Sequence, residues 1–355
     1  MRNIFNLIKH PFFSGGMVMV VGSNAVNFLN YLYHLVMIRM LDPANYGELA
    51  AIIALVGLLG VIPGSLNLVV IKQISSARTE TEVTSLIGWL KRKILLVSLI
   101  FSLVIFITSP FISSFLNINR TIYLIFVAVS FIFSIQSLLN RSILQGLLKF
   151  KEIVVSMLVE NLGKLLFGIL LIYFGLQAGG AVVGIVVATI LGWYITNIYL
   201  RDRVKQKSQV KIDFRQMLFF AIPVLVQSLS ITSIYSSDVI LVKHFFSSYD
   251  AGIYASLSTL GKIIFFGAGP IGAVMFPLVS QKESKGQSYK KVVAYSFMVT
   301  ALLAVVVTLI YWLYPSFVIS LFGKKYLEAA SLLVWFGIFL SLFTMSSLLV
   351  TFHLS

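Results

Sequence analysis

The sequence contains no cysteine, and only 11% of its 355 residues are charged. The first absence removes disulfides, thiolate metal ligands and cysteine nucleophiles. The second is the stronger constraint, because soluble domains carry about 25% charged residues. Acids are the scarcer sign, with 12 Asp and Glu against 27 Lys and Arg. No GxxxxGK phosphate loop occurs, which argues against ATP hydrolysis by this chain. No cofactor or metal pattern is found, and none is expected. The N-terminal stretch lacks a convincing small-residue cleavage site, so it reads as a retained first helix and not a signal peptide.

What is present is apolar. The chain is 59% hydrophobic, with a mean hydropathy of +0.97. One soluble core cannot hide that much apolar surface, whereas a bilayer accepts it on the outside. A helix needs about 20 residues to cross the hydrocarbon. Ten stretches meet this length: Gly15–Ile38, Gly47–Ile71, Ile94–Leu116, Thr121–Leu144, Ile153–Phe174, Ala181–Leu200, Met217–Val242, Ala251–Val279, Val292–Tyr314 and Glu328–Phe352. The fold class expected is an all-α polytopic membrane protein.

The net charge of +15 would suggest nucleic acid in a soluble protein. Here the bases fall between the spans, so no nucleic-acid partner is expected and the charge reads as topology. The N-terminal tail and the even-numbered connections hold 2, 5, 3, 6 and 4 Lys and Arg, which is 20 of the 27. The opposite side holds five: Arg39, Arg120, Lys243, Lys324 and Lys325. This asymmetry predicts a cytoplasmic N-terminus. The longest outer connection, Pro315–Leu327, has 13 residues, so neither face carries a soluble domain. A membrane glycosyltransferase or polymerase, which needs a catalytic loop outside the bilayer, is disfavoured on the same ground, and the chain reads as a non-enzyme.

An internal repeat is visible. Tyr31 and Tyr235, His34 and Asp238, and Arg39 and Lys243 are each 204 residues apart, while Gly47 and Gly252, and Pro110 and Pro315, are 205 apart. An offset of six spans preserves chain direction, so the halves are related by an axis along the membrane normal. The expected domains are residues 1–205, a six-helix bundle, and 206–355, which supplies counterparts of only the first four spans. Two spans of an expected six are missing from the second bundle, and the chain is expected to be part of a longer transporter.

Ionisable groups inside a bilayer cost about 2.5–3.5 kcal/mol each on insertion scales, so they face cavities or partners. Ser23, Asn27, Asn30, Tyr31 and His34 recur at helical spacing on the first span. They read either as a polar wall or as interhelical hydrogen-bonding groups. Gln227, Ser230, Tyr235 and Asp238 are their equivalents on the seventh. Glu160 and Lys164 sit one turn apart and are expected to pair with each other. Lys262 has no local acid and reads as the better phosphate contact. Arg39, Lys243 and Lys72 lie at span ends, where snorkelling is ordinary. Pro63 and Pro270 are candidate kinks.

The stretch Arg39-Met-Leu-Asp-Pro-Ala-Asn-Tyr-Gly47 resembles the signature after the first helix of the polysaccharide flippases, within the multidrug/oligosaccharidyl-lipid/polysaccharide exporter superfamily. Asp238-Val-Ile-Leu with Ala251-Gly-Ile-Tyr254, and Leu144-Gln-Gly146 with Lys149 behind it, are similar to further family patterns. The resemblance implies two helix bundles around a central cleft. The implied activity is flipping of a lipid-diphosphate-linked oligosaccharide between leaflets of the cell membrane by alternating access, driven by an ion or substrate gradient. Lys262, Lys164, Arg39, Asn27, Tyr31, Gln227 and Tyr235 are then candidate substrate contacts, and Asp238, Glu160 and His34 candidate ion-coupling groups or charge partners. Membrane lipids and the glycosyltransferases or polymerase of the same pathway are the implied partners. A cation-coupled drug or metabolite antiporter of the same superfamily is the competing reading.

Overall fold

The computed structural model describes residues 11–77, 79–203, 214–284 and 286–353. Several bases of the charge count, among them Arg2, Lys9, Arg78, Lys205, Lys207, Lys211 and Lys285, lie outside the described residues. Within them the chain is helical, with no strand. Twelve α-helices follow in order: α1 Pro11–Met40, α2 Pro43–Gly64, α3 Asn67–Ser76, α4 Glu80–Phe115, α5 Ile122–Gly146, α6 Phe150–Leu171, α7 Gln177–Leu200, α8 Phe214–Phe245, α9 Ser248–Ser284, α10 Lys290–Leu313, α11 Pro315–Ser320 and α12 Leu333–His353.

Among the described residues, eight helical stretches are long and apolar enough to cross a membrane. Ten spans were expected. Phe150–Arg203 is a single stretch that contains both the fifth and the sixth. Helix α1, which carries the expected first span, is not among the eight. The second span is interrupted beside Pro63: α2 stops at Gly64, and the Ser65 hydroxyl donates back to the Ile62 carbonyl at 2.8 Å. Helix α9, by contrast, continues through Pro270.

Helix α4 explains why lipid is the solvent. Its exposed stripe is Leu96, Ile100, Leu103, Ile107 and Phe111, at three- and four-residue spacing, and Phe111 is 75% exposed. Its buried stripe includes Ser98, Ser102, Ser109 and Ser113. A water-soluble helix has the reverse polarity. The small inward hydroxyls let neighbouring helices approach and find their acceptors inside the protein. Ser102 donates to the Ala128 carbonyl on α5 at 2.7 Å, and Ser113 to the Ile118 carbonyl at 3.1 Å.

The chain forms two compact units. The first comprises residues up to Leu41 with Glu48–Phe246, and the second comprises Asp42–Gly47 with residues from Ser247 onward. These extents differ from the 1–205 and 206–355 bundles drawn from the repeat, since α8 groups with the first unit. The end of α8 is tied there by polar contacts. Lys243 is fully buried, and its ammonium donates to the Asn117 carbonyl at 2.8 Å. The ring of the neighbouring His244 stacks on Phe115, centroids 4.0 Å apart, and its Nδ1–H donates to the Phe115 carbonyl at 2.6 Å. Lys243 therefore does not snorkel, as its place at a span end suggested. A nearby carbonyl and the field of the Glu48 carboxylate hold it inside.

In the first unit α6 and α7 pack antiparallel so closely that a Cβ on Gly184 would lie 2.7 Å from the Gly168 amide nitrogen. Helix α5 packs on both α4 and α7, and α1 on α6. The second unit is built from α9, α10 and α12 packed on one another. It also contains the start of α2. Asp42 caps that helix, accepting the Asn45 amide at 2.9 Å, and Pro43 occupies the first helical position, where its missing N–H costs nothing. Tyr46 is fully buried and shares a 3.0 Å hydrogen bond with Thr259. A Cβ on Gly47 would lie 2.6 Å from the Ser248 carbonyl oxygen, and one on Gly252 would overlap the Pro43 carbonyl. The residues of the Arg39–Gly47 signature thus include a helix cap, a buried phenol and a glycine contact.

Candidate functional site

A cavity of about 250 Å³ opens inside the first unit. Five helices line it: α1 contributes Asn30, α2 Ile52 and Val56, α5 Ser130 and Ser134, α6 Glu160, Asn161 and Lys164, and α7 Val186 and Thr189. The wall is mostly apolar, with the polar groups concentrated on α6. That concentration follows from helical spacing, because residues 160, 161 and 164 share one face.

Lys164 is the cationic group among the lining residues. Its ammonium donates to Oδ1 of Asn30 and lies 4.6 Å from the centroid of the buried Tyr33 ring. Both partners are neutral. The amide oxygen accepts a hydrogen bond and the ring face offers its negative quadrupole, while the Glu160 carboxylate acts on the ammonium through its field without contacting it. Ser130 and Thr189 spend their hydroxyl protons on carbonyls of their own helices, Val127 at 2.7 Å and Ile185 at 2.8 Å. Their oxygen lone pairs remain as acceptors suited to sugar hydroxyls.

Glu160 does not form the expected ion pair with Lys164. Its carboxylate takes the guanidinium of Arg141 from α5 instead. Arg141 is held from its other side, Nε donating to the Ser156 hydroxyl at 3.0 Å. The pair occupies space left by Gly192 on α7, where a Cβ would lie 2.5 Å from the Glu160 oxygen and 3.1 Å from the Arg141 nitrogen. A bidentate-capable, permanently charged guanidinium across a helix interface outcompetes the i, i+4 lysine. Beyond this pair, Trp193 donates to Gln136 at 3.2 Å and Asn140 to Thr196 at 3.0 Å, tying α5 to α7. Lys91 reaches Asn197 from α4 at 2.8 Å.

Of the sequence-derived candidates, Lys164 and Glu160 meet in this cavity. Asn27 and Gln227 are exposed on α1 and α8, and Arg39 is exposed at the end of α1. Tyr31 and His34 are half-buried on α1, outside the cavity lining. Tyr235 and Asp238 are half-buried on α8, the Tyr235 hydroxyl 3.4 Å from that of Thr232. Lys262 is half-buried on α9 in the second unit. The sequence reading missed Arg141, which it counted with the charges of a connection. Its position three residues inside the expected fourth span was the available signal. It also missed Asn30 as the partner of Lys164, which only the packing of α1 on α6 reveals.

Comparison with known proteins agrees with the fold. A solved inward-facing multidrug resistance transporter of the MATE family, in the MOP superfamily, superposes with a TM-score of 0.75 at 14% identity, covering 92% of this chain and 81% of that one. The lipid II flippase MurJ in an inward closed conformation gives 0.71 at 12% identity, covering 95% and 75%. A MOP-superfamily transporter from Pyrococcus furiosus Vc1 (DSM3638), described as having a binding pocket of reverse polarity, gives 0.57 at 17% identity, covering 95% and 83%. No curated protein sequence matches. The profile of the family described as polysaccharide biosynthesis protein matches residues 12–283. The chain is therefore a multi-pass helical membrane protein with the fold of MOP-superfamily transporters, and it belongs to the polysaccharide biosynthesis protein family.

Proposed function

We propose that this chain moves an anionic, lipid-diphosphate-linked saccharide from the inner to the outer leaflet of the cell membrane by alternating access, with its N-terminus in the cytoplasm. The observation that carries the reading is Lys164: a lysine in a polar-edged cavity of a membrane bundle, whose direct contacts are an amide and an aromatic face while the nearby acid, Glu160, is bonded to Arg141. A phosphate oxygen can replace the Asn30 amide and form a stronger, charge-assisted bond. Asn161, Ser130 and Thr189 offer the neutral contacts that sugar hydroxyls need. Lys262 on α9 is a second cationic contact in this reading.

The competing reading, export of a cationic drug, needs an acid with charge to spare. Glu160 is the acid lining the cavity, and Arg141 already neutralises it. The test is leaflet-resolved flipping in vesicles reconstituted with the protein, offered either a polyprenyl-diphosphate saccharide or a lipophilic cationic dye. Movement of the first and not the second is expected. Movement of the dye alone would reverse the assignment.

A further inference from the structure

Arg141 lies outside the cavity lining, yet it determines what the cavity contains. Glu160 and Lys164 are one helical turn apart on α6, the spacing at which a carboxylate and an ammonium ordinarily pair. They are not paired, because Glu160 is drawn to Arg141 on α5. Three features hold it there. The guanidinium is anchored at Nε by Ser156, whose hydroxyl in turn donates to the Ile153 carbonyl at 2.7 Å. Gly192 on α7 leaves the volume that the pair fills, which any side chain would invade. Lys164 meanwhile has Asn30 and the Tyr33 ring as substitutes for the acid.

We infer that Arg141 is a positioning residue that sets the charge of the cavity: by bonding Glu160 it keeps that carboxylate out of contact with Lys164 and so leaves the ammonium available to an anionic head group. This rests on the reading of the cavity as an anion site and adds the residue that makes it one. The physical content is an exchange. With Arg141 present, an incoming phosphate displaces a neutral amide from Lys164. Without it, Glu160 would fall back on Lys164, and the phosphate would have to break an ion pair in a low-dielectric site, a far costlier exchange. Arg141, Glu160 and Lys164 together carry one net positive charge. Removing Arg141 leaves none, and removing Arg141 and Glu160 together restores it.

The test uses the purified chain in lipid nanodiscs and radiolabelled farnesyl diphosphate as the probe, with unlabelled farnesol as a competitor for tail contacts. Lys164→Gln should abolish farnesol-resistant binding. Arg141→Gln should weaken it by about tenfold, the scale of one charge-assisted hydrogen bond. The double variant Arg141→Gln/Glu160→Gln should return to within about threefold of the parent, well inside that tenfold step. Glu160→Gln alone, which adds positive charge, should bind at least as tightly as the parent. A double variant no better than Arg141→Gln, or a Glu160→Gln that binds more weakly than the parent, would overturn the role given to Arg141 while leaving Lys164 as a phosphate contact. Unchanged binding by Lys164→Gln would overturn the anion-site reading itself. Should Arg141→Gln fail to fold, the Glu160→Gln and double variants decide the matter, since neither contains an unpaired acid at position 160.

Discussion

Lys243 is completely buried, and its ammonium donates a 2.8 Å hydrogen bond to the backbone carbonyl of Asn117. Asn117 returns the contact, its side-chain amide donating to the His244 carbonyl at 2.9 Å. The neighbouring Asn119 donates to Glu48 at 2.8 Å, which keeps that carboxylate fixed near the lysine. The end of α8 is thereby locked to the turn between α4 and α5. Replacing Lys243 by Met keeps the length and removes the charge. It leaves the Asn117 carbonyl without this donor and Glu48 without its counter-charge. A destabilisation of about 1–3 kcal/mol is expected for the unsatisfied group. It should appear as a lower unfolding midpoint in detergent, followed by tryptophan fluorescence. An unchanged midpoint would show that water or lipid substitutes for the lysine.

The contact between α2 and α9 makes a second prediction. A Cβ on Gly252 would overlap the Pro43 carbonyl, which is backbone and cannot rotate away. Gly252→Ala should therefore force the helices apart, at a cost of about 1–3 kcal/mol by the usual scale of overpacking. Gly57→Ala, at a position with open space around its Cβ, is the matched control and should be tolerated. Comparing membrane-inserted abundance of the two variants checks this, and equal abundance would show that the approach is looser than described.

Asp42 gives a pH dependence. Partial burial raises its carboxyl, but hydrogen bonds from the Asn45 backbone and side chain, the charge of Lys325 and the Ala44 amide outweigh this and hold it below the usual carboxylate range. A folded-state value below the unfolded one contributes stability above about pH 4 that is lost as pH falls through the folded value. The difference in unfolding midpoint between the parent and Asp42→Ala should be full near neutrality and shrink below that pH. A difference that grows on acidification would contradict the cap.

The orientation rests on the charge asymmetry, which labelling can check directly in a background free of cysteine. Arg120 and Asp202 are both exposed. Arg120→Cys should react with a membrane-impermeant maleimide applied outside intact cells, and Asp202→Cys only after the inner face is opened. The reverse pattern would invert the topology.

The helices were legible because lipid selects long apolar runs, and those runs are local features of the chain. Partner choice inside the bundle was not. Glu160 and Lys164 are neighbours on one helix, so their pairing could be read from spacing. Arg141 is near Glu160 only because α5 packs beside α6 and Gly192 leaves room on α7. The same holds for Lys243, whose end-of-span position suggested a headgroup and whose actual partner is a carbonyl far away in sequence. The inward serines of α4 and the cap at Asp42 could be seen as residues but not given a side of the helix or a role until neighbours were in place. The Arg39–Gly47 signature marked the family, while the structure gives several of its residues packing and capping work.

The central claim is that the Lys164 charge captures the anionic head group of the transported lipid. The direct measurement is the rate of leaflet exchange of a polyprenyl-diphosphate saccharide in proteoliposomes containing the parent, Lys164→Gln or Lys164→Arg at equal protein density. Transport should fall at least about tenfold in Lys164→Gln, the scale of losing one charge-assisted contact. It should be partly retained in Lys164→Arg, where the charge remains but the planar guanidinium fits the Asn30 and Tyr33 site less well. Full transport by Lys164→Gln, with the protein folded and inserted at parental levels, would contradict the claim.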